Sequence, residues 1–200
     1  YRDEGKGTHA ARPHTGVDPV LVGSHIITAL QSIVARRVDP LESAVVSICV
    51  FQAGHANNVI PQTARLKGTV RSFSPKVRDT LEEQIHTLAG GIAKSFGASV
   101  NVDFRRSYPV LVNEAEATNF AAMNAQKIAP SGTVNKTMTP VMGGEDFAFF
   151  LEEKPGAFIF AGNGDTAPVH NPCYDFNDKL IPYGIAYWKA LVENSLPLSA

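Results

Sequence analysis

The sequence predicts two structural units of different class: a split βαβ (ferredoxin-like) four-stranded unit over residues 1–110, then an α/β segment over residues 111–200. Three observations carry this. Over the first hundred residues the hydropathy period switches between 2 and 3.6 in the order strand, helix, strand, strand, helix, strand, the order of an antiparallel sheet with both helices on one face. After Pro109 the pattern becomes helix alternating with an apolar run of the kind buried on both faces, as in an α/β layer. Hydrophobic residues make up 44% and charged ones 18%, which is ample apolar surface for packed cores and leaves no compositional case for disorder.

The elements follow in order. "YRDEG" is the first strand, more charged than an alternating apolar strand. "VDPVLVGSHIITALQSIVARR" has Asp18 and Pro19 at the N-cap and first turn. It repeats Val22, Ile26, Ile27, Leu30, Ile33 and Val34 at helical spacing, which predicts a helix over 18–37. "SAVVSICVFQAG" is rich in β-branched residues and predicts a strand, with Cys49 as a buried thiol. "VIPQTARLKGTVRSF" alternates Ala64, Leu66, Gly68 and Val70 against Thr63, Arg65, Lys67, Thr69 and Arg71, a strand with one wet face. "SPKVRDTLEEQIHTLAGGIAKSFG" opens on a Ser-Pro cap, turns Val77, Leu81, Ile85, Leu88, Ile92 and Phe96 inward, and closes at Gly97. "ASVNVDFRRSYPV" alternates as the last strand, and the boundary between the units falls near 108–114. Beyond it, "VNEAEATNFAAMNAQKIA" predicts a helix, "GGEDFAFFLEE" a glycine turn leading into a short helix, "PGAFIFAGNGD" a strand buried on both faces, and "LIPYGIAYWKALVENSL" a closing helix.

Composition excludes several classes of function. Eighteen Lys and Arg against 19 Asp and Glu leave a net charge of −1, and the basic residues are scattered, which argues against a nucleic-acid surface. Cys49 and Cys173 are too few for a disulfide scaffold, so a reducing, cytoplasmic setting is expected. No apolar run appears long enough to span a bilayer, and no membrane association is expected.

Chemistry-bearing residues gather in four places. "GTHAARPHTG" brings His9, Arg12 and His14 into a Gly- and Pro-broken loop or strand shoulder, which reads either as a polar surface turn or as donors aimed at a ligand. "HANNVIP" puts Asn57 and Asn58 in a turn between strands. "GGEDF" sets Gly144 and Glu145 before a helix, where Glu145 is either a capping acid or a pocket residue. "APVHNPCYDFND" places His170 in a loop after the apolar run, as a metal ligand or a solvated histidine. Asn171, Asp175 and Asp178 are available to orient its ring, and Cys173 either ligates or packs.

Taken together, "GKGTHAARPHTGVDP", "ANNVIPQTARLKGTVRSF", "GGEDFAFF" and "VHNPCYDFND" resemble, in order and spacing, the M20 family of metal-dependent peptidases and amidohydrolases, in its hippurate hydrolase and N-acyl-amino-acid amidohydrolase branch. The resemblance covers essentially the whole chain. It implies that residues 1–110 are a lid and dimerisation domain, and that 111–200 are the C-terminal part of an α/β zinc-peptidase-like catalytic domain. It further implies a homodimer formed through the lid, a small N-acyl amino acid as substrate, and two divalent ions (Zn, Mn, Co or Ni) in the intact enzyme. His9 matches a histidine that reaches across the dimer to polarise the scissile carbonyl, Asn58 and Arg71 match residues that hold substrate, Gly144 and Glu145 fall where the pocket is lined, and His170 matches a metal ligand. Arg12 and His14 lie in the motif without an assigned role. The family's upstream metal ligands and its general-base glutamate have no counterpart here, so the chain alone is expected to be inactive. The alternative expectation is a non-catalytic dimerisation and ligand-binding module.

Overall fold

The structure is a computed structural model that describes the backbone of residues 2–196 and the side chains of residues 4–196. It divides into two compact units, Tyr1–Val110 and Leu111–Ala200.

In the first unit the strands are β1 (Arg2–Glu4), β2 (Thr8–His9), β3 (Ala44–Ala53), β4 (Val59–Ile60), β5 (Thr63–Ser72) and β6 (Ser99–Asn101), and the helices are α1 (Pro19–Arg37) and α2 (Pro75–Ser95). Four strands form one sheet in the order β3-β5-β1-β6, every neighbouring pair antiparallel. Charged β1 is therefore an inner strand, paired on both edges through Asp3↔Ala64 and Asp3↔Val100. Helix α1 starts where Asp18 accepts the N–H of Val20 at 2.8 Å, with Pro19 in the first turn, and α2 starts where Ser74 accepts the N–H of Val77 at 3.4 Å. Their apolar faces meet over the sheet: Val22, Ile26, Leu30 and Ile33 of α1 and Val77, Leu81, Ile85, Ala89 and Ala93 of α2 share one core with Val46 and Leu66. That burial, about 25 cal/mol per Å² of apolar area, is the main term holding the unit together. By length and composition α1 is also apolar enough to cross a membrane, contrary to the expectation that no run is. Part of that apolarity faces the core, through Val22, Ile26, Leu30 and Ile33.

Three further expectations for this unit are corrected. Cys49 is exposed rather than buried, because the β3–β5 ladder passes from Ile48↔Gly68 to Val50↔Lys67 and leaves Cys49 as the extra residue of a bulge. Phe96 ends α2 at 38% exposure, against the His25 ring at 4.8 Å, because the chain turns away at Gly97, where φ is +74°. The last strand is only three residues long. Beyond it Arg106 leaves the ladder and pairs instead with Asp79 (2.8 Å) and Glu82 on α2.

The second unit contains α3 (Ala115–Gln126), α4 (Phe147–Glu153) and α5 (Ile181–Ser195). Asn124, almost fully buried on α3, accepts the Nδ2–H of Asn194 on α5 at 2.7 Å. The strand expected in "PGAFIFAGNGD" does not form, and Ile159 and Phe160 are 42% and 64% exposed. A strand buried on both faces needs neighbours along both edges, and no described residue of this unit is in a strand. One backbone step is satisfied in imitation. The Asn113 side chain donates to Phe158 O and accepts Phe158 N–H, both at 2.8 Å.

Candidate functional site

The loop that carries His9 is built from short-range hydrogen bonds. Thr8 and His9 form β2, whose partner β4 supplies Thr8↔Ile60 and His9↔Val59. The ribbon is extended by the Ala10 N–H donating to Asn58 O at 3.0 Å. His9 and Asn58, both exposed, thus share one arm of the unit. Beside them Gly54, His55, Ala56, Val59, Pro61, Gln62 and Thr63 line a concavity of about 380 Å³.

The environment of His9 decides what its ring can do. Ala11 N–H donates to His9 Nδ1 at 3.1 Å, so in the neutral imidazole Nδ1 is the acceptor and Nε2 carries the proton. Nε2 has no partner among the described residues. A metal-ligating histidine normally donates through its second nitrogen, whereas this one accepts. His9 is therefore arranged as an exposed N–H donor.

Arg71 is not brought to the same place. It lies near the far end of β5, paired with Val45, eight residues from Thr63, where β5 adjoins the β4 arm. At the rise of an extended strand this is a separation of ~26 Å.

The second unit holds the remaining sequence-predicted residues. Glu145 is partly exposed, and its carboxylate accepts Phe147 N–H at 3.3 Å while its carbonyl accepts Ala148 N–H at 3.3 Å, the geometry of a helix cap for α4. Gly144 precedes it on the surface. His170 is exposed in a turn with φ +70°, a left-handed conformation uncommon for a side chain of this size. None of the three residues expected to orient its ring does so. Asn171 caps its own turn by accepting Cys173 N–H at 2.8 Å, the Asp175 carbonyl accepts from Asn163 at 2.8 Å, and Asp178 opens the short 3-10 turn Asp178–Leu180. Cys173 is exposed rather than packed. Among the described residues no three His, Cys, Asp or Glu side chains are gathered as a metal site requires.

Sequence inspection missed Ala11, Thr15 and Gln62. Thr15 and Ala11 act on the His9 loop. Gln62 clamps the approach to β2 from the side, its Oε1 accepting Gly7 N–H at 2.9 Å and its Nε2 donating to Gly5 O at 2.7 Å. No periodicity marks a side chain that pairs with backbone 55 residues away.

Comparison with known proteins gives this arrangement a context. A hippurate hydrolase from Campylobacter jejuni is 39% identical over 187 residues, covering 94% of this chain and 49% of that protein. An N-acetylcysteine deacetylase from Bacillus subtilis is 35% identical over 188 residues, again 94% of this chain and 49% of the relative. Among solved structures, a dinuclear metal-binding peptidase of the M20 family from Bacillus subtilis superposes with a TM-score of 0.67 at 30% identity, over 99% of this chain and 50% of that one. The chain spans about half the length of the relatives it matches. The model of Peptidase family M20/M25/M40 matches residues 6–194. With a family model that matches residues 6–194 and relatives of this identity, the chain belongs to the M20 family.

Proposed function

We propose that this chain is the lid and the C-terminal part of the catalytic domain of a metal-dependent amidohydrolase that releases the acyl group from N-acyl amino acids of the hippurate type. The observation that carries the proposal is the His9 ring, held as an exposed Nε2–H donor beside Asn58 on one arm. In an amide hydrolase such a donor stabilises the negative charge that develops on the carbonyl oxygen as water adds, and it acts most strongly in a closed, water-poor site. Asn58 offers an amide to the same ligand, and Arg71 offers a planar fork suited to the substrate carboxylate.

In this reading residues 1–110 are the ferredoxin-like lid and dimerisation domain. β3, ten residues long and at the sheet edge, is a surface for pairing with a second copy. The ~26 Å along β5 from Thr63, where the arm joins, to Arg71 then supports a division of labour: the arm reaches the partner's site, and Arg71 serves the site of its own subunit. Gly144 and Glu145 line the pocket. The two divalent ions of such an enzyme do not fit the described residues of this chain, which gather no ligand cluster. His170 is proposed as one ligand, with the remainder outside this chain. Two free thiols, Cys49 and Cys173, fit a reducing cytoplasmic setting.

The missing ligand cluster also favours a second reading for the chain taken alone, a dimerisation and ligand-binding module without turnover. One experiment separates the readings. A full-length protein containing this sequence should release free amino acid from an N-acyl amino acid and lose that activity to a chelator, while the purified 200-residue chain should be silent. A full-length protein inactive on every N-acyl amino acid tested, with metal bound, would reject the hydrolase.

A further inference from the structure

The segment from Thr8 to Gly16 is more tightly bonded than an exposed loop needs to be. Thr15 Oγ1 donates to Arg12 O at 2.8 Å, which uses its one hydroxyl proton, so the 2.6 Å contact between Thr8 and Thr15 has Thr8 as donor. Arg12 N–H donates to His9 O at 2.8 Å, Thr15 N–H to Arg12 O at 3.1 Å, and Gly16 N–H to Pro13 O at 3.2 Å. The loop is also pressed against the strand that feeds it. A Cβ on Gly16 would meet Lys6 O, and would lie 2.6 Å from Thr8 Cγ2. The Thr8 hydroxyl thus orients Thr15, Thr15 holds the carbonyl of Arg12, and the peptide chain between His9 and Arg12 is closed so that Ala11 N–H faces His9 Nδ1 at 3.1 Å.

We propose that this loop is a tautomer clamp, in which Thr15 is a positioning residue that holds Ala11 N–H on His9 Nδ1 and so keeps the ring in its Nε2–H form. The proposal rests on the reading of His9 as a donor to the reacting carbonyl, and supplies what that role requires. An imidazole free to exchange its proton between nitrogens presents a lone pair to an oxyanion for part of the time, whereas a clamped ring presents N–H throughout. Thr15 touches no substrate. Its effect passes through the backbone of Arg12 and Ala11 to the ring.

Nitrogen NMR of the 200-residue chain tests the clamp at about pH 8, where an ordinary imidazole is neutral. His14 and His55 are internal references, both exposed and without a hydrogen-bond partner among the described residues. The clamp predicts a scalar coupling between the Ala11 amide nitrogen and His9 Nδ1 across the hydrogen bond. It also predicts a wider separation of the two ring-nitrogen shifts at His9 than at either reference. Thr15→Val should abolish the coupling and narrow the separation to that of His14, Thr15→Ser should restore both, and Thr8→Val should act as Thr15→Val does. A parent chain in which His9 matches the references, with no coupling, overturns the clamp. Retention of the parent signature in both valine variants overturns the role of Thr15. No substrate, metal or turnover enters these readouts. A clamp found intact in a protein without amidohydrolase activity would therefore condemn the functional reading alone.

Discussion

The carbonyl of Asn58 accepts the N–H of Ala10 at 3.0 Å, one step beyond the His9↔Val59 pair, so the two candidate substrate-facing residues ride on one ribbon. Residues that share a ligand and a support are energetically coupled, whereas distant ones add. In the full-length enzyme the loss in kcat/KM for His9→Ala combined with Asn58→Ala should differ from the sum of the single losses by about 0.5–3 kcal/mol. His9→Ala combined with Arg71→Ala should be additive within about 0.5 kcal/mol. Coupling to Arg71 as strong as to Asn58 would contradict independent action of His9 and Arg71.

Leu81 on α2 is fully buried in the first unit's core, between α1 and the sheet, while Leu21 on α1 is 48% exposed. Urea unfolding should show Leu81→Ala destabilising the first unit by about 2–5 kcal/mol, with Leu21→Ala within about 0.5 kcal/mol of the parent.

Helix α5 carries Ile181, Ile185, Trp188 and Val192 at spacings of four, three and four residues, a single stripe whose members are all exposed, Trp188 at 67%. An apolar stripe of this kind marks a covered face. Trp188 is the only tryptophan of the chain. Its emission in the isolated chain should be that of a wet indole, quenched by iodide. In a full-length variant with Trp188 as the sole tryptophan, its emission should move to the blue and escape quenching. Equal quenching in both would show that nothing in the larger protein covers α5.

Glu114 caps α3 by accepting the N–H of Glu116 at 2.9 Å and of Ala117 at 2.7 Å, and these backbone donors hold its carboxyl below the ordinary glutamate range. A carboxyl depressed on folding contributes stability that is present above its unfolded pKa and is lost as the pH falls through the lower folded value. The amides of Glu116 and Ala117 should therefore stay protected from hydrogen exchange at pH 5 and lose protection as the solution is acidified below the usual glutamate pKa of about 4.3. Glu114→Gln should flatten that dependence.

What was legible in the sequence follows from how far each interaction reaches. Asp18, Ser74 and the apolar spacing of α1 and α2 act within a few residues, and both helices appear where periodicity puts them. The bulge that turns Cys49 outward depends on register against β5, and the failed strand around Phe158 depends on missing edge partners, neither of which is written locally. At the site, the motif singled out His9 and Asn58. The amide of Ala11, the Thr8–Thr15 hydroxyl pair and the Gln62 clamp emerge only once the chain is folded.

The most direct test of the account uses mixed dimers of the full-length enzyme. His9→Ala alone should lower kcat by about two to three orders of magnitude, the scale for losing one oxyanion donor, with metal content unchanged. His170→Ala should lower metal content and activity together. When the two variants are mixed and their subunits exchanged, half of the dimers contain one of each. In each of these, the His9→Ala subunit keeps its His170 and receives His9 from its partner. One site of two in half of the dimers is then intact, so activity should return to about a quarter of the parent's. No recovery, with subunit exchange confirmed by mass, would contradict the action of His9 across the dimer.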